Sequence, residues 1–393
     1  MVIRAVCTIS AGLFLFAAMF CCNQAPAQDL GSVSREALQA YNASDYAKAI
    51  EKGREALELA RKSGNRQATG VILLFLGRAH YDLSQYEKAL EYYEEALAIK
   101  REAGDRKSIA ETLNEAGIVY SSIGRYEKAL SYHEQALAID KEIANRQGVG
   151  ADLAEIGIVY CYLARYENAL SRFDEALAIH KEIGARQDIA GDLAEIGIVY
   201  SYLGQYEKAL GYFEQALAIH KEIGARKDIA GDLAEIGNVC SSLGQNEKAI
   251  KYYEEALAIQ KEIGDINGAG KTYGSIGIVY LAFGRLDKAL SYFEESLKID
   301  KEAGDLEGAA LNLTGIGTVY SSLGKYENAY ESLKESLKLG LEIGAPDVLW
   351  GAQCKLGKVS AKLGKDLEAV SYYEKAIETI EGMRAGISEK ETK

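Results

Sequence analysis

The sequence is poor in the residues on which catalytic and metal sites depend. Its 393 residues include four His and six Cys, and the Cys form no Cys-x-x-Cys pair. A zinc site needs several His or Cys ligands close together, and a Cys or Ser nucleophile needs a neighbouring base. We therefore expect a protein that is not an enzyme and that holds no cofactor and no metal.

Proline is also scarce. The chain has 2 Pro and 39 Gly, whereas average usage over this length would give about 20 Pro. Because proline interrupts helices, its scarcity favours a helix-rich fold. The many glycines must then have a regular structural role.

Long blocks of one charge sign are absent too. The chain has 45 Lys and Arg against 58 Asp and Glu, and the net charge of −13 is spread along its length. Nucleic-acid binding needs a basic stripe, so we expect no nucleic-acid partner. An acidic surface instead suits a basic or neutral protein partner.

What the sequence does contain is one repeat of 40 residues. Alanine recurs at this step nine times, from Ala49 to Ala369. Glycine recurs at the same step at Gly77, Gly117, Gly157, Gly197, Gly237, Gly277, Gly317 and Gly357. Nine units therefore run in one register from about residue 30 to about residue 384, and we expect a single repeat array.

Each unit has the pattern of two helices joined by a turn. In the fifth unit, apolar residues such as Leu193 and Ile196 recur at three- and four-residue steps, which predicts a helix over 189–203. Gly204 breaks this pattern, as glycine commonly does just past a helix end. A second helix is predicted over 206–223.

Fixed columns of small residues predict where the two helices of a unit meet. Gly197 and Ala209 are expected at the closest approach, because a larger side chain there would force the helices apart. Tyr200 and Phe213 alternate with them and supply the bulk of the core.

These columns resemble the signature of the tetratricopeptide repeat family. Its residues fall here on Ile196, Gly197, Tyr200, Ala209, Phe213 and Ala216. The sequence departs from the family where the Trp column holds Leu193 and the closing Pro column holds Lys221. The resemblance implies an all-α fold, a right-handed α-solenoid of about nine tandem helix-turn-helix repeats over residues 28–384.

The unit of 40 residues exceeds the family's usual ~34. This longer form is similar to the repeats of kinesin light chains, of G-protein-modulator scaffolds and of bacterial proteins that carry a caspase-like protease domain. The resemblance implies a non-enzymatic scaffold that binds a protein or peptide partner in a concave groove lined by the first helices. A second hypothesis is a regulatory arm of a protease system whose catalytic domain is missing or separately encoded.

One side of the first helices carries the candidate binding residues. At about 100° per residue, the columns of residues 151, 154, 155, 158, 161 and 162 share this side. The candidates in these columns are four glutamates, two tyrosines and two asparagines: Glu115, Glu155, Glu195, Glu235, Tyr162, Tyr202, Asn114 and Asn238. Acidic acceptors beside aromatic rings suit an extended basic segment. The alternative is that the glutamates are solvated helix positions copied by duplication.

The histidines suggest no metal site. His180 and His220 share one column of adjacent second helices, without a third His or Cys, and we expect partly exposed helix positions there. His80 occupies a tyrosine column and is expected to pack in the core. His133 is expected at the surface.

Residues 1–27 differ in composition from the rest. Arg4 precedes an apolar run over 6–22, and Ala25 and Ala27 are small residues at the positions that a signal peptidase reads. We expect a cleaved export signal and a periplasmic or secreted protein. The alternative is an uncleaved membrane anchor, since the run nearly spans the ~30 Å of a bilayer core.

The three cysteines after residue 27 are expected to have a packing role. Cys161, Cys240 and Cys354 lie in different repeats, and each is expected to fill a small packing position rather than to form a disulfide.

In the last repeat, the side with Val370 and Ile377 is expected to be exposed. Residues 385–393 are expected to form a disordered tail, and the oligomeric state is left open.

Overall fold

A computed structural model describes residues 25–391 of the chain, with side chains from residue 30 to residue 384. Within this part the regular structure consists of 18 helices and no strand. The helices are α1 Ala25–Asn42, α2 Tyr46–Lys62, α3 Arg66–Asp82, α4 Tyr86–Ala103, α5 Arg106–Ser122, α6 Tyr126–Glu142, α7 Arg146–Tyr162, α8 Tyr166–Ile183, α9 Arg186–Tyr202, α10 Tyr206–Ile223, α11 Arg226–Ser242, α12 Asn246–Ile263, α13 Ile266–Ala282, α14 Leu286–Ala303, α15 Leu306–Ser322, α16 Tyr326–Ile343, α17 Pro346–Lys362 and α18 Asp366–Glu391.

Consecutive helices form nine helix-turn-helix repeats, so the predicted all-α solenoid is confirmed. Odd-numbered helices are the first helices of repeats 1–9, and even-numbered helices are the second. The described residues divide into two compact units, with the division between Ile219 and His220. The first unit therefore holds repeats 1–4 and most of repeat 5, and the second holds repeats 6–9.

The turn inside each repeat requires a left-handed backbone. Gly204 adopts φ +69° there, a region that glycine enters without steric cost. Three of these turns do without glycine, at Ser44, Ser84 and Ala164, and so does the turn between repeats 3 and 4, at Ala144. The φ values of these four residues are 55° to 59°. Side chains with a Cβ rarely adopt this conformation, so these four turns are strained.

The glycine column has a specific packing role. A Cβ on Gly197 would lie 3.0 Å from the ring of Phe213, and one on Gly157 would lie 2.7 Å from the ring of Phe173. Each glycine thus makes room for the aromatic ring that its own second helix places against the first. Ala209 is fully buried, as predicted.

Buried polar pairs connect successive repeats within each unit. In each pair, a residue on the second helix of one repeat contacts the residue twelve positions later in the sequence, which lies on the first helix of the next repeat. Lys100 Nζ donates to Thr112 Oγ1 at 2.8 Å, and Asn312 Nδ2 donates to Asp300 Oδ2 at 2.6 Å. All four side chains are buried. Their polar groups are therefore satisfied across the repeat junction, where unpaired they would destabilise it.

Three predictions about histidine are wrong. His180 and His220, expected to be partly exposed, are buried and donate from Nδ1 to Asp192 and Asp232 at 2.6 Å. His133, expected at the surface, is fully buried because it occupies the aromatic column beside the glycines. The prediction for His80 is confirmed, since it is buried and stacks on a tyrosine.

The other packing predictions are confirmed. Cys161 and Cys240 are buried and Cys354 is half-buried, and none of these three residues forms a disulfide. In the last repeat, Val370 is 53% exposed and Ile377 is 56% exposed.

The predicted signal peptide, residues 1–27, lies outside the described residues apart from its last three, so it stays a prediction. None of the described helices is long and apolar enough to cross a membrane. The predicted tail, residues 385–393, overlaps the end of α18, and no side chain beyond residue 384 is described. It too stays a prediction.

Candidate binding face on the first helices

The candidate residues lie on one side of the first helices, which we call the first-helix face. It consists of the columns of residues 151, 154, 155, 158, 161 and 162. In the first unit, Glu115, Glu155 and Glu195 are half-buried on α5, α7 and α9. Ala154 and Ala194, also half-buried, lie beside them. This part of the face therefore places carboxylates next to small side chains.

Glu115 belongs to an ion-pair cluster. Arg78, on α3, approaches Glu115 to 2.7 Å and Glu111 to 2.8 Å, and Tyr93 Oη donates to Glu115 at 3.4 Å. Burial by itself would lower the pKa of Arg78, but the two carboxylates outweigh it and raise that pKa. The chain itself thus supplies a cation to Glu115.

Asn114 is directed to the core of its own repeat. Its Oδ1 accepts a hydrogen bond from Nδ1 of His133 on α6. Burial lowers the pKa of His133 to about 3, so the imidazole is neutral and donates through Nδ1. Asn114 satisfies this buried donor, which is a structural role.

In the second unit, Glu235 and Asn238 form a small network on α11. Asn238 Nδ2 donates to Glu235 Oε2 at 3.2 Å, and Tyr253 Oη donates to Asn238 Oδ1 at 2.7 Å. Burial raises the pKa of Glu235, and the bond from Asn238 acts against that rise. Asn238 thus links its own repeat's second helix to a glutamate of the face.

Tyr162 and Tyr202 present aromatic surface at the ends of α7 and α9. They are 39% and 57% exposed. Tyr162 stacks on Tyr126 at 5.3 Å between ring centroids, and Tyr202 stacks on Tyr166 at 5.8 Å. One side of each ring is held by its partner, so the exposed side is presented with little freedom to move.

The charge of the first-helix face reverses along the chain, a feature that the sequence analysis missed. In repeats 3–5 the six columns carry four acidic residues and no basic one, namely Glu111, Glu115, Glu155 and Glu195. In repeats 7–9 they carry four basic residues and no acidic one, namely Lys271, Lys355, Lys358 and Lys362. Tabulating charge by column would have revealed this, because the repeat register is exact.

The arrangement is suited to recognition by charge and stacking. Within the part of the chain that the structure describes, no group of three or more His, Cys, Asp and Glu side chains could hold a metal ion. The features present on the face are carboxylates, stacked tyrosines, lysines and exposed aliphatic side chains. Such groups bind extended segments of other proteins.

Both the fold and this face define a helical repeat scaffold, and family models agree. Models described as tetratricopeptide repeat match residues 34–102, 151–222 and 230–302, and others of that description match 112–147, 312–339 and 351–381. The chain belongs to the tetratricopeptide repeat family. None of the curated proteins compared with the chain matches it.

Solved structures share the fold at low sequence identity. The apo form of the quorum sensor NprR from B. thuringiensis is 18% identical, covers 90% of this chain and 99% of its own, and gives a TM-score of 0.62. A signal transduction ATPase with a tetratricopeptide repeat sensor from Pyrococcus horikoshii is 18% identical, covers 88% of this chain and 53% of its own, and gives 0.63.

A third similar structure contains a peptide. The Rap conjugation gene regulator of the plasmid pLS20, in complex with the Phr* peptide, is 19% identical to this chain. The match covers 80% of this chain and 96% of the regulator, with a TM-score of 0.57. At these identities the similarity shows a common fold.

Proposed function

We propose that this chain is a non-enzymatic scaffold that binds an extended, basic segment of another protein on the first-helix face of repeats 3–5. The observation that carries the proposal is the succession of Glu155 and Glu195, each followed along its helix by an exposed stacked tyrosine, Tyr162 or Tyr202. A guanidinium or ammonium group can pair with the carboxylates and stack on the rings.

Two further points support the proposal. The fold is shared with a Rap regulator solved in complex with a peptide, which supports a peptide or protein segment as the kind of ligand. In addition, the half-buried alanines beside the glutamates leave room for a peptide backbone to approach.

Export from the cytoplasm belongs to the same proposal. The composition of residues 1–27 supports it. The partner would then be met in the periplasm or outside the cell.

A charge-reversal experiment tests the binding claim. The probe is a short fluorescein-labelled peptide of alternating Arg and Ser, and the readout is fluorescence anisotropy with the full chain. We expect Glu155→Lys with Glu195→Lys to weaken binding by about tenfold or more, since opposite charges across an interface become like charges. Helicity by circular dichroism should be unchanged.

The matched control is Glu134→Lys with Glu214→Lys. These two glutamates are exposed on the second helices α6 and α10, in the same unit, and the net charge changes equally. Binding retained in the face variant, or lost equally in the control, would remove the proposed site.

A further inference from the structure

The first-helix face of repeats 7–9 carries basic and aliphatic side chains, to which the proposed basic ligand would not be attracted by charge. Its four lysines occur in a chain of net charge −13, and its eighteen positions include no carboxylate. Lys271, Lys358 and Lys362 are exposed. Among the described residues no ion pair is formed by Lys355, Lys358 or Lys362, and Lys271 lies near the buried carboxyl of Asp300.

Two of the lysines lie close to one another at the end of this face. Lys355 is half-buried, and burial together with the charge of Lys358 lowers its pKa. An anionic group placed between the two ammonium groups would relieve their mutual repulsion. Such a cluster therefore has a specific preference for a negatively charged ligand.

Large aliphatic side chains are exposed on the same face. Ile278 on α13 is 59% exposed and Leu311 on α15 is 54% exposed. Adjacent first helices thus present apolar surface between Lys271 at one end and the lysine cluster at the other.

The two threonines between the lysines, Thr314 and Thr318, are already paired. Thr318 Oγ1 donates to the Thr314 carbonyl at 2.7 Å, and Thr314 Oγ1 shares a 2.8 Å hydrogen bond with Ser336. This face therefore offers a ligand charge and apolar contact. Nucleic acid fits it poorly, because the columns contain no arginine and no aromatic ring on which bases could stack.

We propose that the first-helix face of repeats 7–9 is a second protein-binding surface, and that it takes an extended segment in which acidic residues alternate with apolar ones. Acidic side chains pair with Lys355, Lys358 and Lys271, and apolar side chains cover Ile278 and Leu311. The carboxylates in the same columns of repeats 3–5 would repel the same ligand, so it prefers the face of repeats 7–9. The inference shares with the proposed function only the choice of face, and it does not depend on Glu155 or Glu195.

The experiment uses the full chain and a short fluorescein-labelled peptide of alternating Glu and Leu, read by fluorescence anisotropy. We expect Lys355→Glu with Lys358→Glu to weaken binding by about tenfold or more. Ile278→Ser with Leu311→Ser should weaken it by severalfold at unchanged salt dependence, because it removes apolar contact only. The matched control is Lys298→Glu with Lys338→Glu, two exposed lysines on the second helices α14 and α16.

Separate outcomes identify separate failures. Loss of the Glu-Leu peptide in the Lys355/Lys358 variant, with the Glu-Leu peptide still bound by the Lys298/Lys338 control, supports the second surface. If the control variant loses the Glu-Leu peptide equally, or if a Lys-Leu peptide binds as tightly, the second surface is wrong. If inorganic phosphate or a single-stranded oligonucleotide competes as well as free Glu-Leu peptide, the site is a general anion site and the proposal is overturned. None of these results depends on whether Glu155 and Glu195 bind the basic probe.

Discussion

His180 donates from Nδ1 to Oδ2 of Asp192 at 2.6 Å, with both side chains almost completely buried. The donor lies on the second helix of repeat 4 and the acceptor on the first helix of repeat 5. Buried polar residues at this junction must be paired across it, since either alone would be destabilising. The same two columns hold Asp140 and Asp152, and Asp300 and Asn312, at other junctions.

We predict that this pair makes stability depend on pH. Burial acts to lower the pKa of His180, but the hydrogen bond and charge of Asp192 outweigh it and raise that pKa. A raised pKa in the folded state gives stability that is complete below the unfolded value of about 6.5 and is lost as pH rises through the folded value. Burial raises the pKa of Asp192, which acts in the same direction.

The test replaces this pair with the two residues that occupy the same columns at the junction of repeats 6 and 7. His180→Gln with Asp192→Thr reproduces Gln260 and Thr272, both buried in the same columns. The melting temperature of the variant, followed by circular dichroism, should fall less than that of the wild type between about pH 6 and pH 9. Parallel curves for the two proteins would show that the pair has no part in the pH dependence.

A second prediction concerns Asp140 and Asp152. Burial, with the charge of Asp140, raises the pKa of Asp152 to about 9. The folded chain therefore holds a proton there that the unfolded chain releases above about pH 4, and stability is lost as pH rises from about 4 to about 9. Asp152→Asn should stabilise the protein at about pH 8 by about 1–3 kcal/mol.

The stabilisation should shrink as the pH falls towards about 4, because wild-type Asp152 is then protonated in both states. The variant has a precedent in the chain, since Asn312 pairs with Asp300 at the equivalent junction. Chemical denaturation at the two pH values measures the difference. A destabilised variant at about pH 8 would contradict the assignment of the proton.

Replacing Ala164, in the turn of repeat 4, with glycine should stabilise the protein. Its φ of 55° is left-handed, and the next repeat uses Gly204 at this position. Ala164→Gly should stabilise the protein by roughly 1 kcal/mol, because the left-handed conformation costs a residue with a Cβ about that much. Gly204→Ala is the converse variant, and it should lower the melting temperature by a comparable amount. Equal melting temperatures for all three proteins would exclude strain at this turn.

The cation beside Glu115 gives a prediction about binding. Arg78→Ile introduces the residue that Ile118 and Ile158 provide in the same column. Without Arg78, both Glu111 and Glu115 lose their ion-pair partner. We expect the affinity for the Arg-Ser peptide to rise about threefold or more and the melting temperature to fall. An unchanged affinity at a lowered melting temperature would place Glu115 outside the binding surface.

Much of the helical architecture could be predicted because the repeat register is exact. The second helix of repeat 5 runs over the predicted residues, Tyr206–Ile223, because glycine marks its end. The first helix begins at Arg186, three residues before the predicted start. The sequence has no signal for this boundary, because Ala185 provides no side-chain cap. Where Asp265 caps the corresponding helix through its carboxylate, the boundary has a sequence signal.

The burial of the histidines could not be deduced from the helix that carries them. His180 follows the charged pattern of an exposed helix, and its partner lies twelve residues away on the next repeat. The sequence signal for burial appears only when the repeats are aligned. The residue type in the column of His180 then varies together with the residue type in the column of Asp192. The site shows a similar limit, because Asn114 shares a helix side with Glu115 but turns to His133.

The most direct test of the central claim, that the first-helix face binds protein segments, is site-specific photocrosslinking. Benzoylphenylalanine replaces Tyr202 on the face in one full-length protein, and Gln215, exposed on the second helix α10, in another. Each protein is irradiated with the Arg-Ser peptide, and adducts are measured by mass spectrometry. The account predicts an adduct from position 202 that unlabelled peptide suppresses, and none from position 215. Equal adducts from both positions, or an adduct from position 215 alone, would contradict it.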